Sequence, residues 1–153
     1  MENTDYPRIG LAADHAGYEV KEFIRGLLEK RDIPHIDYGT YTSESVSYAE
    51  YGHQLAEAIE KGDVLVGIAV CGSGNGINMT LNKHAGIRSA LCWNKEITHL
   101  ARLHNDANVL ALPGRFLSID EIEKIIDIFL NTPFEGGRHQ ERISGIPLPS
   151  LRA

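Results

Sequence analysis

The chain has 153 residues, 42% of them apolar and 24% charged, which suits one folded domain with a sizeable core and excludes a disordered or fibrous chain. Its formal charge of −6 is spread along the sequence with no block of Lys or Arg, which argues against a nucleic-acid partner and leaves room for a small anion held by a few cations and amides. The polar start at residues 1–7 lacks the basic-then-apolar order of a signal peptide, and no apolar run reaches the length of a membrane span, so a cytoplasmic protein without membrane contact is expected.

The first apolar run, residues 8–13, reads as a buried strand and ends in Asp14-His15-Ala16-Gly17. Asp14 has a sufficient structural explanation as the N-cap of the next helix. His15 does not, because a cation fits poorly at a helix start, whereas an imidazole there can hydrogen-bond a bound anion. Val20, Phe23, Ile24, Leu27 and Leu28 then recur at helical spacing and make one apolar face. A second strand is expected over 33–38, a weaker helix over 48–61 and a third strand over 64–70.

The third strand runs into Cys71-Gly72-Ser73-Gly74-Asn75-Gly76. Closely spaced glycines let successive N–H groups converge into an anion-binding nest and let a ligand approach the backbone. The dinucleotide fingerprint fails at its sixth position, where Ile77 stands, and no Gly-Lys-Ser/Thr closes a nucleotide-hydrolase phosphate loop. A thiol at the mouth of such a nest suits a base or nucleophile, while the plain alternative is a small buried residue finishing a strand. Cys92, inside the fourth strand expected over 88–93, is assigned to that plain role, and both cysteines are expected to be free thiols.

Weak helices are expected over 76–83 and 95–104, with a fifth strand over 108–112. His104 and Asn105 close the second of these helices, where a cationic C-terminal cap followed by a helix-breaking Asn is a sufficient reading. His99 and His104 are five apart, a spacing that does not align two metal ligands on one helical face. Arg115 follows the fifth strand. Ser118, with Glu121 three residues on, marks the start of a strongly amphipathic helix through Ile122, Ile125, Ile126, Phe129 and Leu130. Beyond Pro133 and Glu135-Gly136-Gly137, a short helix or arm carries Arg138 and Arg142 four apart, neighbours on one face that could hold a phosphate, with Glu141 keeping an ordinary solvated face open.

The alternation of continuous apolar strands with helices predicts an α/β fold, a doubly wound parallel sheet with ligands at the carboxyl ends of its strands. One domain is expected over residues 1–153, with 134–153 as a C-terminal helix or arm.

Taken in order, Ala13-Asp14-His15-Ala16-Gly17, Cys71-Gly72-Ser73-Gly74, Asn82-Lys83, Gly86-Ile87-Arg88, His104-Asn105-Asp106, Asn108-Val109-Leu110 and Gly136-Gly137-Arg138-His139-Gln140 resemble the type B ribose 5-phosphate isomerase family, which includes isomerases of galactose 6-phosphate and related sugars. The resemblance implies a Rossmann-like three-layer sandwich with a five-stranded parallel sheet. It also implies a homodimer or dimer of dimers with shared active sites, acting on a small phosphorylated sugar without a cofactor or metal. Cys71 matches the base that moves a proton between C1 and C2 of ribose 5-phosphate through an enediolate, and Asn75 stands where some members place a Glu base. Gly72, Gly74 and Gly76 match the turn that holds the enediolate oxygen, and Ser73 matches the hydroxyl that assists transfer between oxygens. His104 with Asp14 matches the ring-opening group, Asn105 and Tyr48 match sugar contacts, and His15, Arg115, Arg138 and Arg142 match the phosphate site. Where many members carry Asp-Tyr-Pro, this chain reads Ser47-Tyr48-Ala49, which leaves the geometry of that loop and the choice of sugar open. A sister sugar phosphate is the main alternative, followed by a non-catalytic sugar-phosphate-binding subunit and then a nucleotide-binding module.

Overall fold

Five parallel strands form one sheet: β1 (Ile9–Ala13), β2 (His35–Asp37), β3 (Val66–Cys71), β4 (Ser89–Leu91) and β5 (Val109–Pro113), in the spatial order β2-β1-β3-β5-β4. The structure is a computed structural model and describes residues 5–152; residues 1–4 and 153, at the ends of the expected domain and of the polar start, lie outside the described residues. Helices α1 (Tyr18–Lys30), α4 (Lys95–Leu103) and α5 (Ile119–Asn131) cover one face, where Ile24, Leu28, Ile122, Ile126 and Phe129 pack on Leu11, Ile68, Val70 and Leu110. The opposite face is covered by α2 (Tyr48–Lys61) and α3 (Asn75–Leu81), which bring Leu55, Ala56, Ile77 and Leu81 against Ala12, Ala69 and Cys71. The result is the expected three-layer α/β sandwich. Its central strands β1, β3 and β5 are continuous apolar runs because both of their faces are buried. No helix among the described residues is long and apolar enough to cross a membrane.

The two faces are lined differently. On the α2/α3 side the strands present small residues, and there Gly10 and Gly67 stand side by side in the β1/β3 register. A Cβ on Gly10 would lie 2.5 Å from Leu55, and one on Gly67 would lie 2.9 Å from it, so this leucine rests directly on the backbone of two strands. That contact sets how closely α2 approaches the sheet.

The expected elements all form, with shifts at their ends that have local causes. The stretches 33–38 and 88–93 shrink to the three residues of β2 and of β4, because both lie at sheet edges and pair on one side only. Cys92 consequently sits just beyond β4, still fully buried. The box at Ser118 and Glu121 closes as expected, each side chain bonding the other's backbone N–H. Asp14 does not cap α1. Gly17 occupies the N-cap, and the Asp14 carboxylate instead accepts the Gly17 N–H at 3.0 Å in the turn before the helix. His104 is the C-cap of α4, but the left-handed residue that ends the helix is Asp106 (φ 46°), not Asn105. The last segment does form a helix, α6 (Arg138–Ser144), followed by a 3-10 turn at Pro149–Leu151.

Candidate active site

From the carboxyl end of β1 the chain moves outward to β2, and from the carboxyl end of β3 it moves the other way, past β5 to β4, so the connections diverge between β1 and β3. A crevice opens at such a reversal. Asp14 and His15 leave β1 there, and Cys71 ends β3 beside them; the Asp14 N–H donates to the carbonyl of Val70, one residue before the cysteine.

Asp14 is 6% exposed, and its carboxylate is held by the Gly17 N–H. His15 is fixed from the other side, its Nδ1 accepting the Val46 N–H at 3.1 Å, which leaves Nε2 for a ligand. The loop that carries Val46 is anchored in turn by Lys21. This lysine is 1% exposed, lies 2.6 Å from the Asp37 carboxylate and 3.0 Å from Glu22, and sits over the rings of Tyr18 and Tyr41. Asp37 also accepts the Gly39 N–H, and the Tyr41 hydroxyl donates to its carbonyl. A buried lysine paired with a partly exposed carboxylate therefore braces the loop that orients His15.

The turn after β3 places the expected residues around Cys71, which is 4% exposed. Gly74 takes a left-handed φ of 77°, where a side chain would also meet Leu91 at 2.4 Å, so only glycine fits. The backbone N–H groups of Ser73 and Gly74 make no hydrogen bond among the described residues and remain available to an oxyanion. Asn75 opens α3 and donates to the Ser73 oxygen from its backbone and from Nδ2, at 3.3 and 3.2 Å. With its oxygen so engaged, the Ser73 hydroxyl is left as a donor. The Tyr48 ring lies over Gly76, within 2.5 Å of where a Cβ would stand, and the Arg115 side chain passes 3.4 Å from the same point on Gly72. Ser47 caps α2 through its own hydroxyl, which accepts the Ala49 N–H at 3.1 Å. The departure at Ser47-Tyr48-Ala49 therefore keeps a capped helix and brings Tyr48 to the crevice.

The remaining expected residues are elsewhere. Helix α4 starts at the carboxyl edge of the sheet and ends at its amino edge, leaving His104 and Asn105 there just before β5 begins. Arg138 and Arg142 share the short helix α6, which follows the end of α5 at that same amino edge. At about 3.3 Å of rise per residue, β3 alone separates the two edges by roughly 16 Å. Within one chain, Asp14 and Cys71 are therefore remote from His104, Asn105, Arg138 and Arg142.

Two residues to which the sequence assigned no role complete the amino-edge group. Glu135 Oε2 lies 3.6 Å from Nε2 of His104 and 3.4 Å from Nε2 of His139, and the two imidazoles stack at 4.3 Å with 13° between their planes. The signal was the spacing Glu135-Gly136-Gly137-Arg138-His139, which no periodic pattern flags, because Glu135 and His139 are joined by a glycine turn rather than by one helix. The three ligand atoms lie within 4.8 Å of one another, and the carboxylate contacts approach the edge of a zinc tetrahedron, about 3.3 Å. Nearly parallel imidazoles, however, do not aim their in-plane lone pairs at one point. As oriented, the group is a carboxylate shared by two imidazoles rather than a metal cage.

A sequence model of the Ribose/Galactose Isomerase family matches residues 9–146. Ribose-5-phosphate isomerase B of Escherichia coli is 40% identical over 139 residues, covering 91% of this chain and 93% of the relative. The crystal structure of a ribose 5-phosphate isomerase from Thermotoga maritima superposes with a TM-score of 0.91 at 42% identity, covering 92% of this chain and 97% of the other. The Mycoplasma genitalium ribose-5-phosphate isomerase B, solved with bound ribulose-5-phosphate, gives a TM-score of 0.86 at 38% identity, covering 91% and 93%. Sequence and fold agree over nearly the whole length, and the chain belongs to the ribose/galactose isomerase family.

Proposed function

We propose that the chain is an aldose–ketose isomerase interconverting D-ribose 5-phosphate and D-ribulose 5-phosphate in the cytoplasm. Its unit is one domain over residues 1–153, with 134–153 as a terminal arm, and two copies build each active site. The observation that carries the shared-site reading is the division of the expected residues between opposite edges of one sheet. Neither half alone holds a base, a ring-opening group and a phosphate site.

In this reading Asp14 and His104, from different copies, open the furanose ring. Cys71 removes the C2 proton, and the amides of the Gly72–Gly76 turn hold the enediolate oxygen. The Ser73 hydroxyl, held by Asn75, assists proton movement between O1 and O2, and the Cys71 thiol reprotonates C1. Donors placed on a developing oxyanion contribute several kcal/mol, roughly 3–4 for one well-aimed group, which is the scale needed to make a carbon-bound proton acidic. His15 and Arg115 from one copy and Arg138 and Arg142 from the other bind the phosphate, while Tyr48 and Asn105 contact the sugar. No step calls for a metal or a nicotinamide.

The test is turnover of the purified chain on ribose 5-phosphate, allose 6-phosphate, galactose 6-phosphate and erythrose 4-phosphate. Preference for ribose 5-phosphate is expected; preference for a hexose phosphate would replace the substrate, and no turnover on any of them would sink the reading. Cys71→Ala is expected to lose isomerisation while still binding the sugar phosphate, and wild-type turnover in that variant would remove Cys71 from the base role.

A further inference from the structure

We propose that Glu135 and His139 are positioning residues for His104. Glu135 holds the His104 imidazole as its Nε2–H tautomer, and the His139 ring stacked beneath it fixes its plane, so that Nδ1 is the atom presented for proton transfer. The inference rests on the reading of His104 as the group that opens the sugar ring.

The local structure is built for this contact. The Glu135 N–H donates to the carbonyl of Leu103 at 2.9 Å, which ties the segment after α5 to the residue preceding His104. Gly136 (φ 76°) and Gly137 (φ 61°) then take two successive positive-φ conformations, with nothing within 4 Å of either would-be Cβ. Space does not require glycine at these positions; the backbone path does, and that path turns the chain back so that His139 returns over Glu135. His139 is 7% exposed and forms the floor of the stack, while the His104 side chain is 37% exposed.

The two ring nitrogens of an imidazole diverge, so with Nε2 of His104 facing Glu135 its Nδ1 points away from the carboxylate. A carboxylate accepts, and so favours the proton on the nitrogen that faces it. Nδ1 is then left with a free lone pair, the form needed to take the anomeric hydroxyl proton and return one to the ring oxygen. The 3.6 Å separation exceeds a formed hydrogen bond, as is common for such contacts before substrate binds.

Ring opening can be separated from enolisation by experiment. Ribulose 5-phosphate has no furanose form, so exchange of its C1 proton with deuterated water needs Cys71 but not His104. In Glu135→Ala, isomerisation of ribose 5-phosphate is expected to fall on the order of ten-fold or more while C1 exchange is retained, with Glu135→Gln, which keeps an acceptor, intermediate. His139→Gln should move the same way, and it serves if Glu135→Ala folds poorly. Nitrogen-15 shifts of His104 should report the Nε2–H tautomer in the wild type and a mixture in Glu135→Ala. Parallel loss of exchange and isomerisation, or an unchanged tautomer, would overturn the proposal. The Cys71→Ala protein should lose both reactions; if it keeps both, the base assignment fails while the Glu135 comparison stays readable.

Discussion

The two cysteines differ in what surrounds them rather than in depth. Cys71 opens onto a glycine turn with free amides, whereas Cys92 follows β4 with its N–H donated to Ala111 and its thiol near the Thr98 hydroxyl. Burial pushes the Cys92 thiol from 9.0 up to about 11, only partly offset by Thr98. Between those values the unfolded chain loses this proton and the folded chain keeps it, so the folded state binds more protons and stability falls as pH rises. The slope approaches about 1.4 kcal/mol per pH unit and amounts to about 3 kcal/mol across the window. Denaturant unfolding between pH 8 and 10.5 should show the decline in the wild type and a shallower one in Cys92→Ala. Tyr38 and Tyr41, also raised by burial, keep some slope in both.

At the scale of elements, much was legible because each rule involved is local. Continuous apolar runs gave the central strands, and the spacing of Ile122, Ile125, Ile126 and Phe129 behind Ser118 gave α5 with its cap. Ser118→Ala removes one arm of that box and should cost about 1 kcal/mol by denaturant titration. What sequence did not reveal depends on neighbours: the shortening of β2 and β4 comes from their edge positions, and the role of Asp14 comes from Gly17 rather than from the helix. The closeness of Leu55 to Gly10 and Gly67 was equally hidden, since it joins three elements. Gly10→Ala places a methyl where Leu55 already sits, and it should destabilise by about 1–3 kcal/mol in the same assay; a neutral result would mean that α2 can shift outward freely.

For the whole molecule, the types of residue in the candidate site were readable from the sequence, but their meeting place was not. A residue after a strand lies at the carboxyl edge and one at the end of a helix at the amino edge. His104 and Cys71 could therefore be sorted to opposite edges, while the proposed contact between them calls for a second chain. Closed twofold pairing is the arrangement that lets each copy's carboxyl edge meet the other's amino edge; a head-to-tail contact would run on into a filament. Mixing Cys71→Ala with His104→Asn protein under exchange conditions should restore about one quarter of wild-type activity, since half of the random pairs are mixed and each mixed pair holds one intact site. No recovery from two folded, inactive variants would mean that the site lies within one chain.

In the proposed two-copy site, the roughly 16 Å between the two edges would make a sugar phosphate a thermodynamic bridge. A ligand gripped by both copies binds only the pair, so by linkage it must strengthen association by the factor that association lends to its own binding. Dilution should then lower specific activity without loss of helix signal, and added substrate should restore it.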